Sequence, residues 1–245
     1  MMTIFWKNID KIKKIIYILI HIEYSHMNYD LCPFCNIINK YYLEKVKALN
    51  ISIYNTILYA SDNFLVIPAL GSLIPGYIMI ISRNHINSMA YLSDIEMHEL
   101  LNIINHIRKI IIDKFHITPI LFEHGSAPGC FDKAANSIDH AHLHLIPISM
   151  TNEATIIKHS LASKIQNLQN LTSFKGKPYF LYVNNQQQHY LSHNVILPSQ
   201  YMRKWIAKEV GRPNEWDWRE FQFIENINIT IDVLNDNDRT KNSII

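Results

Sequence analysis

The sequence predicts an α+β fold in which strands gather around one long helix. Three observations carry the prediction. Short apolar runs at 56–60, 63–68 and 76–82 are separated by turn residues, with Pro68, Gly71, Pro75 and Gly76 between the last two, as strands joined by turn-rich loops require. One long amphipathic stretch follows, opened by Ser93-Asp94-Ile95-Glu96, a capping box with Ser at the N-cap and Glu three residues on. Beyond it, the apolar run 120–122 and the alternating run 140–147 come without the regular helix-strand alternation of a parallel α/β sheet.

Each element follows from local chemistry. In residues 1–30, Lys11, Lys13 and Lys14 precede the apolar run 15–20, as in a secretory leader. His21 and Glu23 close that run early, and no small-x-small cleavage site follows, so a leader or an amphipathic helix is expected, with Met27 as an alternative start. A helix is expected over 36–49. The capping box opens a helix over 94–115, whose Leu100, Leu101, Ile104, Ile107, Ile111 and Ile112 recur at helical spacing. Past Met150 the pattern changes. A helix is expected over 153–171, and a hairpin from 179–183 and 189–191. Pro198-Ser199 then opens a helix that stops near Gly211-Arg212-Pro213. The chain thus divides into an N-terminal leader or helix (1–30), a core domain (31–150) and a C-terminal α/β extension (151–245) with a polar, frayed tail from Asn235.

Composition narrows the function classes. In 245 residues, 48% hydrophobic and 18% charged, a sizeable core is available and overall disorder is excluded. A net charge of +2 from 23 basic and 21 acidic side chains argues against bulk nucleic-acid binding, though not against a small phosphate pocket. Three cysteines are too few for a disulfide scaffold. No run approaches the ~20 apolar residues that cross a bilayer. A cytoplasmic protein without a membrane partner is expected.

The 13 histidines concentrate the chemistry. In Ser137-Ile138-Asp139-His140-Ala141-His142-Leu143-His144-Leu145, a strand places His140, His142 and His144 on one face and the apolar residues on the other. Such a row can ligate a metal, or it can present an imidazole nucleophile whose neighbours fix its tautomer. The surroundings favour the nucleophile. Ser137 stands at the mouth of the strand, behind a loop ending at Asn136 that can offer amide N–H groups to phosphate oxygens. Cys32-Pro33-Phe34-Cys35 has the spacing of half a zinc site, with an empty thiol pair and a redox couple as alternatives. Gln200, Arg203 and Lys204 lie near a helix start, a good anion site if the helix end is free, and a solvated basic face otherwise. Trp216 and Trp218 can stack on a base or serve as packed anchors.

The segment His140-Ala141-His142-Leu143-His144-Leu145-Ile146 resembles the signature of the histidine triad (HIT) superfamily. The resemblance extends upstream through the cysteine pair, through 61–66 and through 75–85, covering about 31–150. The arrangement of 199–218 with Phe122-Glu123-His124-Gly125 is similar to an uncharacterised bacterial-type branch of HIT proteins. The resemblance implies an antiparallel sheet of about five strands with packed helices, often dimerised through the sheet. It implies a nucleotide hydrolase or nucleotidyltransferase acting at the α-phosphate of a phosphoramidate, dinucleoside polyphosphate or similar conjugate. His142 would be the nucleophile and the His140 carbonyl would orient it. His144 would contact phosphate or protonate the leaving group, and Ser137 would hydrogen-bond the phosphate. Asn136, Ser137, Glu123 and Arg203 are the candidate substrate contacts. Cys32, Cys35, His85 and His140 would hold structural zinc, and no catalytic metal is required. The chain departs from the family pattern at Tyr77, where many members have His. It departs again at Ile67-Pro68, in place of an acidic or amide residue at the ribose, and at Glu123, in place of Asn or Gln. A non-catalytic nucleotide sensor is the alternative function. A zinc hydrolase with the triad as ligands is the third reading, disfavoured because Asp139 would face away.

Overall fold

The computed structural model describes residues 32–47, 56–129, 138–193 and 195–239. The expected leader (1–30) and the loop residues Cys130, Asn136 and Ser137 lie outside the described residues.

Helix α1 (Pro33–Lys47) begins with a proline at its first helical position, where a missing N–H costs nothing. Strands β1 (Tyr59–Ala60), β2 (Phe64–Pro68) and β3 (Ile78–Ser82) follow. Helix α2 (Asp94–Phe115) has the bounds its sequence predicts. Ser93 accepts from the Glu96 amide while the Glu96 carboxylate accepts from the Ser93 N–H, so two orphan donors are satisfied. Its buried stripe is Met97, Leu100, Ile103, Ile104, Ile107 and Ile111; Ile112, expected in the stripe, is exposed. Strands β4 (Ile120–Gly125) and β5 (His142–Ile146) complete the first half.

The second half differs from expectation in one stretch. The helix expected over 153–171 ends early: α3 (Glu153–His159) gives way to β6 (Ser163–Ile165) and a 3-10 turn over Leu168–Phe174. Leu161 adopts φ +53°, and the Ser160 hydroxyl bonds back to the Ile156 carbonyl, both of which favour ending the helix. Strands β7 (Tyr179–Val183) and β8 (His189–His193) form the expected hairpin. Helix α4 (Tyr201–Glu209) follows, and then α5 (Ile224–Arg239), which sequence reasoning missed because Asn, Thr and Ile are weak helix formers. Tertiary contact supports α5: Thr230 accepts from the Gly76 amide (2.8 Å) and Asn226 donates to the Ser72 carbonyl (2.8 Å).

All eight strands form one antiparallel sheet, in the order β1-β2-β3-β5-β4-β7-β8-β6. The expected five-stranded sheet is therefore the first part of a larger one, because β7 pairs with the side of β4 that β5 leaves open. Period-two alternation sorts the strands between two layers. Phe64, Val66, Ile78, Ile80, Leu121, Leu143 and Leu145 pack beneath α2. Leu65, Ile67, Met79, Ile81, Phe122 and Phe180 face the other way, toward α1 and α4. Each such fully buried aliphatic or aromatic side chain contributes about 1.5–3 kcal/mol. That second face carries the site.

Candidate active site and metal cluster

Strand β5 is central, so its residues are held on both sides. His142 stands opposite Ile81, and His144 opposite Met79 on one neighbour and Phe122 on the other. His142 and His144 project to the same face, as the alternation requires. His140 does not belong to the row. It precedes the strand, in a bend, and turns toward the cysteine pair. The expected single row of three imidazoles is therefore a pair plus a ring that faces the cysteines.

The two rings of the pair are fixed by different partners. His142 Nδ1 donates to the His140 carbonyl (2.6 Å), which leaves Nε2 as the free ring nitrogen. Burial holds this imidazole neutral, pushing its pKa down to about 4 against the opposing pull of that carbonyl. Phe34 of α1 packs on it at 5.1 Å. His144 stacks on Phe122 (4.2 Å, 10°), and its Nδ1 contacts the Tyr77 hydroxyl (3.0 Å). Burial, then the neighbouring His142, pushes His144 well down as well.

Both rings line a cleft of about 340 Å³. Its walls include Phe34, Ile67, Pro68, Trp218 and His124, with Lys40 and Arg203 as its cations. Arg203 lies at the cleft as expected, yet it is buried and committed to the protein. Nε donates to the Trp216 carbonyl and Nη2 to the Gly71 carbonyl, each at 2.8 Å. At the same helix start, Gln200 donates to Asp217 (3.0 Å) and Lys204 sits over the Trp216 ring (4.2 Å).

Glu123, expected at the substrate, is on the other face of the sheet. Its carboxylate accepts from the Met89 N–H (2.8 Å) and from the Tyr179 hydroxyl, behind the strand. Burial pushes its pKa up to about 7, with the Tyr179 and Met89 bonds opposing. One residue on, His124 has the right parity. It lines the cleft, is stacked against Phe180 (5.4 Å, 25°), and its buried Nε2 has no hydrogen-bond partner among the described residues. Burial pushes it down to about 3, so it is neutral. Sequence reasoning missed His124 and Phe122 as site residues: period two puts them on one face of β4, but only the pairing with β5 and β7 decides that this face meets the histidines.

Behind His142, Cys32, Cys35, His85 and His140 bring four ligand atoms within 4.8 Å of one another. Cys32 and Cys35 each lie 3.5 Å from His140 Nδ1, and Cys35 lies 3.2 Å from His85 Nδ1. A tetrahedral ion with Zn–S ~2.3 Å and Zn–N ~2.0 Å has such edges at about 3.5 Å. His140 Nε2 donates to the Ser82 carbonyl (2.7 Å), which fixes the tautomer that turns a bare Nδ1 to the thiols. A hydrogen bond from Cys35, together with the two imidazoles, pulls Cys32 far down toward thiolate, and the same pairing pushes Cys35 up. The hydrogen bond to Cys32 raises His85. The donor set, its spacing and its outer hydrogen bond all fit a tetrahedral metal. Asp139 is turned away from both sites, to Asn87 (2.6 Å) and Ser126.

Comparison with known proteins bears on the same segment. The HIT domain family model matches residues 50–150. No match is found among curated proteins. Among solved structures, the chain is similar to a HIT family protein from Bacillus anthracis, at 19% identity over 58% of this chain and 85% of that one, with a TM-score of 0.38. It is similar to a zinc-bound histidine triad family protein from Mycobacterium smegmatis, at 17% identity over 50% and 78%, with a TM-score of 0.37. It is similar to the Plasmodium falciparum diadenosine triphosphate hydrolase solved with Cyclomarin A, at 16% identity over 42% and 65%, with a TM-score of 0.35.

Proposed function

We propose, from the match of residues 50–150 to the HIT domain family model, that the protein is a nucleotide hydrolase or nucleotidyltransferase that works at the α-phosphate through a covalent intermediate on His142. The single observation that carries this reading is the bond from His142 Nδ1 to the His140 carbonyl. It commits one ring nitrogen and leaves the other, Nε2, with its lone pair in a side chain that lines the cleft.

The chemistry runs in two steps. Nε2 attacks the α-phosphorus; a P–N bond forms as the bond to the leaving oxygen or nitrogen breaks. Water then attacks the phosphoramidate, breaks the P–N bond and releases the mononucleotide, with another acceptor in place of water giving transfer. Splitting one displacement into two lets the same imidazole serve as nucleophile and leaving group. Ser137 and Asn136 would hydrogen-bond the phosphate. His124, with its unpartnered Nε2, offers a neutral donor or acceptor beside it. Phe34, Ile67, Pro68 and Trp218 would seat the nucleoside.

Cys32, Cys35, His85 and His140 would hold a structural zinc ion, whose role is to tie α1 to the residue whose carbonyl orients His142. A homodimer built through the sheet would pair the described edges, the two-residue β1 or the three-residue β6. No described helix is long and apolar enough to cross a membrane.

Intact-mass spectrometry tests the function. Wild type and His142→Ala would be exposed briefly to dinucleoside polyphosphates, nucleoside phosphoramidates and nucleotide sugars, with acid-labile adducts preserved. A mononucleotide-sized gain that requires His142 is expected, and its size identifies the nucleotide. Tight mononucleotide binding with neither adduct nor product would replace this reading with that of a nucleotide sensor.

A further inference from the structure

We infer that Tyr77 and Arg203 are positioning residues that fix His144 as the proton donor to the leaving group, so that the C-terminal extension completes the active site. The inference rests on the reading of the site as a nucleotidyl-transfer centre.

An arginine only donates. Arg203 sends Nε to the Trp216 carbonyl and Nη2 to the Gly71 carbonyl. This anchors the guanidinium beside Tyr77, 5.9 Å from its ring centroid. The cation repels a hydroxyl hydrogen turned toward it, so that hydrogen goes to the other neighbour, His144 Nδ1, at 3.0 Å. An Nδ1 that accepts requires the proton of neutral His144 to sit on Nε2. The ring cannot turn away from this arrangement, since it is stacked on Phe122 at 4.2 Å and buried. Burial keeps the Tyr77 hydroxyl protonated, pushing its pKa up to about 12 against the pull of Arg203.

The proton balance gives the pair its purpose. A neutral imidazole cannot lose its Nε2 proton alone without becoming an anion. Tyr77 removes the difficulty by passing its proton to Nδ1 as Nε2–H moves to the departing oxygen or nitrogen. The phenolate so formed lies beside the Arg203 cation. When water attacks the phosphoramidate, its proton returns through Nε2, and Nδ1 restores the phenol. No co-reactant beyond substrate and water is needed.

The two residues come from distant parts of the chain. Tyr77 precedes β3, and Arg203 lies in α4, whose guanidinium bonds a carbonyl 132 positions earlier. Gly71 permits that approach. It has φ +71°, and a Cβ there would fall 2.8 Å from Arg203 Nη2 and 2.7 Å from Trp218 Cβ.

The test has a readout independent of turnover. Nitrogen-15 NMR of the imidazoles reports tautomers directly. His144 in wild type is expected as the Nε2–H form, and Tyr77→Phe is expected to lose it. An Nδ1–H tautomer in wild type would overturn the inference whatever the kinetics. The second arm uses nucleoside 5′-phosphate derivatives with graded leaving groups, from 4-nitrophenol to an alkylamine. Tyr77→Phe is expected to slow release of the alkylamine about 10- to 100-fold while 4-nitrophenol, which needs no proton, changes less than about threefold. Arg203→Ala should follow the same slope more weakly, and Tyr77→His should recover much of the loss. Equal losses across the series would mean that Tyr77 only packs, and would overturn the inference. A wild type with the expected tautomer that forms no adduct with any substrate would instead overturn the nucleotidyl-transfer reading, and the leaving-group role with it.

Discussion

The two ends of the segment His140–His144 are held by unlike chemistry. At its start, His140 is drawn out of the strand toward two thiols and a second imidazole, and its backbone carbonyl is thereby set against His142. At the other, in the middle of β5, His144 is held by a phenol, a phenyl ring and, beyond the phenol, a guanidinium. The first end is built from segments within residues 32–140, with donors soft enough for a metal. The second requires α4, more than fifty residues beyond the strand. The difference teaches that orienting a nucleophile and orienting an acid are separable tasks. A carbonyl suffices to fix a lone pair, whereas a donor that must be re-protonated needs a second proton carrier behind it.

The largest expected effect lies between the two ends. His142→Ala should lower turnover at least about 10⁴-fold, because removing a covalent nucleophile removes the two-step path itself. Steady-state rates on whichever conjugate proves to be the substrate provide the check, and loss of less than tenfold would place the nucleophile elsewhere.

Breaking the first end should chiefly reduce stability. Metal bound only by the folded state stabilises by about 4 kcal/mol at a free concentration a thousandfold above its dissociation constant. Chelation, or Cys35→Ser, should therefore lower the free energy of unfolding by that order and bring the denaturation midpoint down with it, with zinc near one per chain in untreated protein by elemental analysis. An unshifted midpoint would mean that the cluster holds α1 without an ion.

Glu123 is a control, since it shares the sheet but touches neither end. Its folded pKa, about 7, is raised above the ordinary 4.5. The favourable contribution is therefore complete below pH 4.5, declines as pH rises, and is lost above about pH 7. The full range amounts to about 3 kcal/mol. Urea melts of wild type and Glu123→Gln across this range should diverge by that amount, with the variant flatter. Parallel curves would show that the carboxyl is ionised in the folded protein.

The smallest change probes the second end. Gly71→Ala places a methyl against Trp218 and Arg203 at a positive φ, and should cost about 2 kcal/mol through strain and overpacking. Thermal unfolding measures the cost. A mobility change in the indole of Trp218, read by fluorescence, should accompany it if the extension is loosened from the loop at 68–77.

Much of this architecture was legible in local pattern. The capping box placed α2 to the residue because both of its hydrogen bonds close within four positions. The hairpin of β7 and β8 was legible for a similar reason, two strands being joined by a short polar turn. Other features were not. The parity that puts His124 at the cleft and Glu123 behind it depends on where β4 enters the sheet, which no run of its own residues states. Helix α5 has weak intrinsic propensity and draws support from contacts to Ser72 and Gly76, more than 150 positions away.

The sequence by itself determined the spacing of His142 and His144 on one face, the half-site of Cys32 and Cys35 and the long helix that backs the sheet. These are properties of periods and caps, which act over a few residues. Tertiary structure alone decided that His140 leaves the row for the thiols, that β7 occupies the open side of β4, and that Arg203 lies beside Tyr77. Each of these depends on which buried donor meets which buried acceptor, and in an interior that leaves few polar groups unpaired that choice is made only when distant segments pack together.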